Sequence, residues 1–174
     1  STNPVKIVAS PQALINQTAN GCVPVTVNFS GGLSLVDSSA LSWHWDFGNG
    51  TTGTGQNPAP VIYPRDGDYP IQLIVTNSSG CTDTVNSSVS AYPIPVVDAG
   101  IDTLICKGTG ITLHATGADT YQWSPPNGLA CTNCANPIAN PDSLTQYVVV
   151  GTTIHGCSNR DSIKGAVKYP FDIN

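Results

Sequence analysis

Apolar and polar residues alternate along much of this chain, most clearly at its aromatic centre. Leu41, Trp43, Trp45 and Phe47 fall on one side of an extended segment, and Ser42, His44 and Asp46 on the other. A period of two with three aromatics on one face predicts a half-buried β-strand at the middle of a core. Gly48-Asn49-Gly50 ends it, because these residues tolerate the backbone conformations of a tight turn. The same alternation places Val23, Val25, Val27 and Phe29 on one strand opening at Gly21-Cys22, and Tyr69, Ile71, Leu73 and Val75 on another. A hairpin at Asn77–Gly80 returns the chain through Cys81, Thr84 and Val89 to Tyr92. Val5–Ala9 is expected as a short first strand, with 11–20 a polar connection. Residues 30–40 are expected as a loop whose Leu33, Leu35 and Val36 tuck under to cap the core or else form a recognition surface. Residues 56–63 are expected as an irregular edge strand, since Pro58, Pro60 and Pro64 lack ladder donors.

After Tyr92-Pro93-Ile94-Pro95 the pattern starts again at shorter length. Segments 102–106, 111–115, 120–124, 145–153 and 157–167 predict strands, and Tyr121-Gln122-Trp123 stands where Trp43-His44-Trp45 stood. Gly156-Cys157 echoes Gly80-Cys81. The division expected is therefore a first domain over 1–92, a proline-containing linker at 93–95, a second domain over 96–170, and the start of another linker at 171–174. Two prolines in four residues favour an extended, semi-rigid connection.

Composition sharpens this picture. All eleven acidic residues are Asp, Met is absent, and Ser, Thr, Asn and Gly together number 65 of 174. Residues that favour helix surfaces are scarce and those that favour turns abundant, which predicts an all-β protein with almost no helix. A net charge of −5 without any basic cluster excludes nucleic acid as a partner. No apolar run approaches the length of a membrane span, so no membrane insertion is expected. Six cysteines in a turn-rich, weakly charged chain suggest an oxidising, extracellular setting.

Trp45-Asp46-Phe47-Gly48-Asn49-Gly50 resembles the W-D-F-G-D-G motif of PKD domains, with Asn49 where that family usually has Asp. Tyr63-Pro64 and the run from Gly67-Asp68-Tyr69 to Asn77 supply the family's second element. The resemblance covers about residues 4–92 and implies an Ig-like β-sandwich that is not an enzyme. It implies core roles for Trp43, Trp45, Asp46, Phe47 and Gly48. Tyr69 would be a corner tyrosine whose hydroxyl bonds back to the chain. Residues 95–169 resemble an Ig-like module that recurs beside PKD domains in large surface and secreted proteins of the Bacteroidota, gliding-associated adhesins included. Trp123 would be its core tryptophan. The fold implied is two tandem Ig-like sandwiches stapled by disulfides.

Candidate chemistry is thin. Cys131-Thr132-Asn133-Cys134 lacks the second ligand pair that structural zinc requires, so a short-loop disulfide is the reading preferred over zinc or a redox pair. His44, His114 and His155 pair with no evident nucleophile. Asp66, Asp68, Asp98 and Asp102 invite a calcium reading, but the spacing of a calcium loop is missing and turn-capping is preferred. No metal or other cofactor is expected. Trp43 is a weak candidate for a sugar-stacking platform. If each sandwich is self-contained, Cys22 pairs with Cys81, and three pairings remain for the other four cysteines. Cys106 with Cys157 and Cys131 with Cys134 is the set favoured, because Cys106 ends one strand and Cys157 opens the last.

The triplets at Asp83-Thr84-Val85, Asp102-Thr103-Leu104, Asp142-Ser143-Leu144 and Asp161-Ser162-Ile163 resemble the O-glycosylation motif of exported Bacteroidota proteins. That resemblance implies glycans on Thr84, Thr103, Ser143 and Ser162; the same triplets also read as the starts of edge strands, with Asp turning the chain and the apolar third residue facing the core. Asn-x-Ser/Thr sequons at Asn16, Asn28, Asn49, Asn77 and Asn86 compete as sites in a eukaryotic host. The resulting expectation is a spacer or display segment of a cell-surface adhesin exported by the type IX route. Alternatives are a polymer-binding accessory segment of a secreted hydrolase or a subunit of an extracellular filament. The partners expected are neighbouring modules of the same chain, with surface polysaccharide or another cell-surface protein beyond them.

Overall fold

Residues 10–17, 20–34 and 40–168 are described in a computed structural model. The expected strand at 5–9, the side chains of Leu35 and Val36, and the 171–174 tail lie outside the described residues. The chain divides into two units, Ser1–Pro93 and Ile94–Asn174. Each is an Ig-like β-sandwich, and no helix occurs among the described residues.

In the first unit the strands are β1 (Ala13–Gln17), β2 (Gly21–Cys22), β3 (Val25–Val27), β4 (Phe29–Leu33), β5 (Ala40–Asp46), β6 (Thr52–Thr54), β7 (Val61–Tyr63), β8 (Gly67–Asn77) and β9 (Thr82–Tyr92). One sheet runs β2-β9-β8-β5-β6; β1-β4 and β3-β7 form its opposing layer. The strand expected from Cys22 to Phe29 is three strands instead. Pro24 has no N–H to continue a ladder. The chain therefore leaves β9 after Val23, joins β7 through β3, and joins β1 through β4. Two connections expected from polarity are strands as well. Ala13–Gln17 pairs with Phe29–Leu33, so residues 30–33 belong to the sheet and Leu33 packs on the core. β1 escapes a pattern reading because Ala13 and Ile15 share its inward face with the polar Gln17 while Leu14 stays exposed. The core gathers Val27, Phe29, Trp45, Phe47, Tyr63, Ile71, Leu73 and Val75. Phe29 sits against both Trp45 and Phe47, with ring centroids 5.7 and 5.1 Å away.

The second unit has β10 (Thr103–Cys106), β11 (Ile111–Thr112), β12 (Thr120–Ser124), β13 (Ile138–Ala139), β14 (Thr145–Thr152) and β15 (Ser158–Lys168). Its main sheet is β10-β15-β14-β12, faced by β11-β13. Trp123, Tyr147, Val149 and Ile163 fill the core. The segment expected at 111–115 keeps ladder geometry only at its first two residues. Leu113 and Ala115 then donate to Pro137 and Ala135 carbonyls, which completes that layer without a longer strand.

The two units solve the same problems in the same way. Each core tryptophan has its indole N–H taken by a carbonyl of a crossing loop, Trp45 by Gly55 at 2.9 Å and Trp123 by Cys134 at 3.0 Å. In each unit a short early strand runs parallel to the far end of the last strand, Cys22 opposite Tyr92 and Cys106 opposite Lys168.

Candidate functional site

The aromatic motif is consumed by the fold. Asp46 accepts from the Gly48 amide at 2.9 Å, and Asn49 accepts from both the amide and hydroxyl of Thr51. Gly48 lies at φ +68°, and a Cβ there would stand 2.4 Å from the Pro70 carbonyl oxygen. Tyr63 donates to the Phe47 carbonyl at 3.0 Å from a fully buried position. Burial pushes its phenol up to about 12, with Tyr69 and Asp46 adding to the rise. Tyr69 donates to the Arg65 carbonyl four residues upstream. Trp43 is half-buried, and its ring lies over Gly31, where a Cβ would approach it to 2.4 Å. That packing takes up a face a sugar would need.

The carboxylates are spent on backbone amides. Asp83 takes Ala13 and Thr84, Asp98 takes Gly100, Asp102 takes Lys164, Asp119 takes Ile154 and Asp161 takes Ala99. With Asp46, six of the eleven acidic residues do this, which gives a physical reason for a chain with Asp and no Glu. The shorter side chain reaches neighbouring amides with less entropy to lose. Asp68 accepts from the Ser90 hydroxyl. Among the described residues no three His, Cys, Asp or Glu gather where a metal could be held. His114 contacts Asn136 at 3.1 Å, and His44 is exposed on β5.

Cys131 and Cys134 are disulfide-bonded. The loop they close lends the Thr132 carbonyl to the Trp123 amide at 2.6 Å and the Cys134 carbonyl to its indole. The pairs Cys22–Cys81 and Cys106–Cys157 do not form: Cys81 and Cys106 are free thiols, while Cys22 and Cys157 are held in disulfides. The reason is strand length. Cys22 lies opposite Tyr92, whereas Cys81 precedes Thr82 at the other end of the eleven-residue β9. Eleven residues at about 3.3 Å each span roughly 36 Å, and a disulfide needs Cα atoms within about 7 Å. Cys106 and Cys157 are separated in the same way by β15.

Of the four triplet hydroxyls, Thr84 and Ser143 are exposed, while Thr103 and Ser162 are half-buried, the latter accepting from Gln146 at 3.0 Å. Val85 and Ile163 face the core, but Leu104 and Leu144 are 73% and 69% exposed, so the expected inward apolar residue fails at two of the four. Asn77 is buried, with its side-chain oxygen taking the amides of Ser79 and Cys81, an arrangement that excludes a glycan there. Sequence reasoning treated Asn77 as an ordinary turn residue. Its signal was an Asn three residues before a Gly-Cys step, at the end of an apolar strand.

A cleft of about 570 Å³ in the first unit is open to a ligand. Asn49, Thr51, Thr52 and Thr54 line one bank, Pro58, Ala59, Pro60 and Ile62 the other, with Phe47 beneath. It runs beside β6, the last strand of its sheet, and among the described residues the outer edge of that strand has no neighbour in the ladder. The edge strand at 52–54 was not foreseen, since Thr52-Gly53-Thr54 offers no apolar alternation. Gly53 is needed because a Cβ there would meet the Phe47 ring at 2.9 Å.

Known proteins match part of the chain. A pre-pro-metalloprotease PrtV of Vibrio cholerae is 30% identical over 98 residues, covering 53% of this chain and 11% of the relative. Collagenase ColQ1 of Bacillus cereus is 40% identical over 72 residues, covering 41% of this chain and 7% of the relative. The chain thus spans about a tenth or less of these relatives' lengths. The crystal structure of the PKD1 domain of Vibrio cholerae PrtV is 30% identical, with a TM-score of 0.42 over 48% of this chain and 98% of that one. Residues 8–91 match the PKD domain family. The first unit of this chain belongs to the PKD domain family.

Proposed function

We propose that this chain is a non-catalytic accessory segment of a larger exported protein, whose first unit lays an extended polymer along the cleft beside β6. The observation that supports it is the cleft's lining. Hydroxyls and an amide face a bank of proline and isoleucine, and no lining residue is titratable. Such a surface offers hydrogen bonds and apolar contact to a chain but no acid, base or nucleophile to act on it. The free edge of β6 would add main-chain hydrogen bonds to an extended polypeptide. Relatives named as collagenases make a fibrous protein the first polymer to test. Co-sedimentation with insoluble collagen, and with an insoluble polysaccharide for comparison, measures it. Thr52→Glu with Ile62→Glu, both exposed positions, should lower retention at least tenfold. Equal retention of the variant, or none of the parent, overturns the cleft.

A second reading, the adhesin spacer of a type IX exported protein, draws on the second unit's resemblance and on the exposed hydroxyls of Thr84 and Ser143. In it, glycans on Thr84, Thr103, Ser143 and Ser162 shield an exposed surface segment from proteolysis. Intact mass of natively secreted protein decides it: an unmodified polypeptide mass removes the glycans.

A further inference from the structure

The sequence holds three Asn-Gly steps, at 20–21, 49–50 and 127–128. At such a step the glycine nitrogen can attack the asparagine side-chain amide, because no Cβ crowds its approach. The fold treats the three differently. Asn20 has one donor on its Oδ1, the Ser90 amide at 2.8 Å, and Gly21 is fixed in β2 opposite Ala91. The step at Asn127 is pinned through its main chain. The Asn127 carbonyl takes the Tyr147 hydroxyl at 2.8 Å, and the Gly128 carbonyl takes the Asn140 amide at 2.7 Å. A Cβ on Gly128 would stand 2.7 Å from the Asn140 carbonyl oxygen, so a ring closing there has little room. Asn49 is set up for the attack. Its Oδ1 accepts twice from Thr51, from the amide at 3.0 Å and from the hydroxyl at 2.6 Å. Gly50 is exposed at φ +84°, and nothing stands within 4 Å of where its Cβ would be.

We propose that Asn49 is a self-modification site, where the chain deamidates and places a carboxylate on the wall of the cleft. The two Thr51 donors draw charge away from Cγ and hold the oxyanion that forms on Oδ1 during the attack, as preorganised donors do at an acyl-transfer centre. Asn49 lines the cleft, and no lining residue there is titratable. Newly made chains therefore present a neutral wall and aged chains an anionic one.

The chemistry needs only water. The Gly50 amide nitrogen loses its proton to hydroxide and bonds to Asn49 Cγ. The bond from Cγ to Nδ2 then breaks, and the nitrogen leaves as ammonia with a proton from water. The cyclic imide that remains is opened by a second attack, of water. Attack at Cγ breaks the new bond to Gly50 and gives Asp. Attack at the Asn49 main-chain carbonyl breaks the original peptide bond and gives the β-linked isomer. Both products carry one carboxylate, and the balance is one water consumed and one ammonia released, with no change of oxidation state. The Asp form keeps both acceptor contacts to Thr51. The β-linked form adds a main-chain atom inside the turn that the Phe47 amide and Thr51 carbonyl close at 3.1 Å, and so loosens it.

The test follows the full chain, freshly purified, during storage at neutral and at mildly alkaline pH. Peptide mass spectrometry reads each Asn-Gly step, and anion exchange separates the chains that have gained a charge. Expected is a gain of one mass unit on the peptide containing Asn49, faster at the higher pH, with Asn20 and Asn127 lagging behind it. Thr51→Val removes the hydroxyl donor and should slow conversion about tenfold, less than the loss of a donor costs in an enclosed oxyanion hole. Thr51→Ser keeps both donors and should convert at the parental rate. Circular dichroism matching the parent keeps a folding defect from passing for a change in rate. The proposal is overturned by an Asn49 that stays intact or converts no faster than Asn20 and Asn127. It is overturned equally by a Thr51→Val variant that keeps the parental rate, or by a Thr51→Ser variant that slows with it. Deamidation requires no bound polymer, so this proposal and the cleft's ligand can each fail alone.

Discussion

Replacing Cys131 and Cys134 together by serine should loosen Trp123 before it unfolds anything else. The bridge closes a loop with a sequence separation of 3. In the chain-entropy relation a four-residue loop is worth about 2 kcal/mol, the low end of what disulfides contribute. The loop also holds the Thr132 and Cys134 carbonyls on the amide and indole of Trp123, which is 1% exposed. If the open loop lets the indole N–H go unpaired in the core, a further cost of about 1–3 kcal/mol follows. The expected total is about 2–5 kcal/mol. Hydrogen exchange of the three tryptophan indoles, resolved by nuclear magnetic resonance, separates local from global effects. Trp123 should lose protection by at least roughly 30-fold, corresponding to about 2 kcal/mol. Trp45, held by Gly55 in the other unit, should keep its rate. Unchanged Trp123 exchange in the double variant would refute the reasoning, because the loop would then be fixed by its backbone alone.

Gly48→Ala should destabilise the first unit by about 3 kcal/mol, from left-handed strain together with a Cβ forced on the Pro70 carbonyl, read as a shift in denaturant midpoint. Asn77→Ala should cost about 1–3 kcal/mol through the orphaned Ser79 and Cys81 amides, whereas Ser78→Ala on the exposed tip of the same hairpin should be silent in thermal melts. The raised Tyr63 phenol makes stability fall with alkalinity: below pH 10 both folded and unfolded forms are protonated, and between 10 and about 12 only the unfolded form ionises. Stability should drop by about 2 kcal/mol across that window, and Tyr63→Phe should flatten much of the drop in denaturation curves taken at successive pH. Chelator should leave the melting temperature unchanged, and a fall would point to a bound cation.

Strands with bulky alternating side chains were legible because a single feature, the inward face, decides them. Trp45, Phe47, Leu73, Trp123 and Tyr147 belong to that class, as does the Asn77–Gly80 hairpin. What escaped notice depends on partners distant in sequence. Ala13–Gln17 and Thr52–Thr54 are strands because an edge was available to pair with, and Gly53 or Leu14 carries no sign of that. The cysteine pairing went wrong for the same reason. Sequence order puts Cys22 near the start of a unit and Cys81 near its end, and only the parallel pairing with Tyr92 shows that the intervening strand keeps them apart. The cleft was equally invisible, since threonines and prolines become a lined surface only when two sheet edges are set side by side.

The parallel pairing of early and last strands also bears on how each sandwich meets tension. Pulling the two strands of such a pair in opposite directions along their length makes them slide past one another. Their cross-links are then strained together, whereas an antiparallel hairpin pulled from its open end parts one bond at a time. In the second unit β10 runs along β15 over four residues; in the first, β2 meets β9 over two, extended by the Val23 amide to Tyr92. Stretched from its own ends, the second sandwich should therefore give way at the higher force, and the first should be the element that yields and lengthens under load.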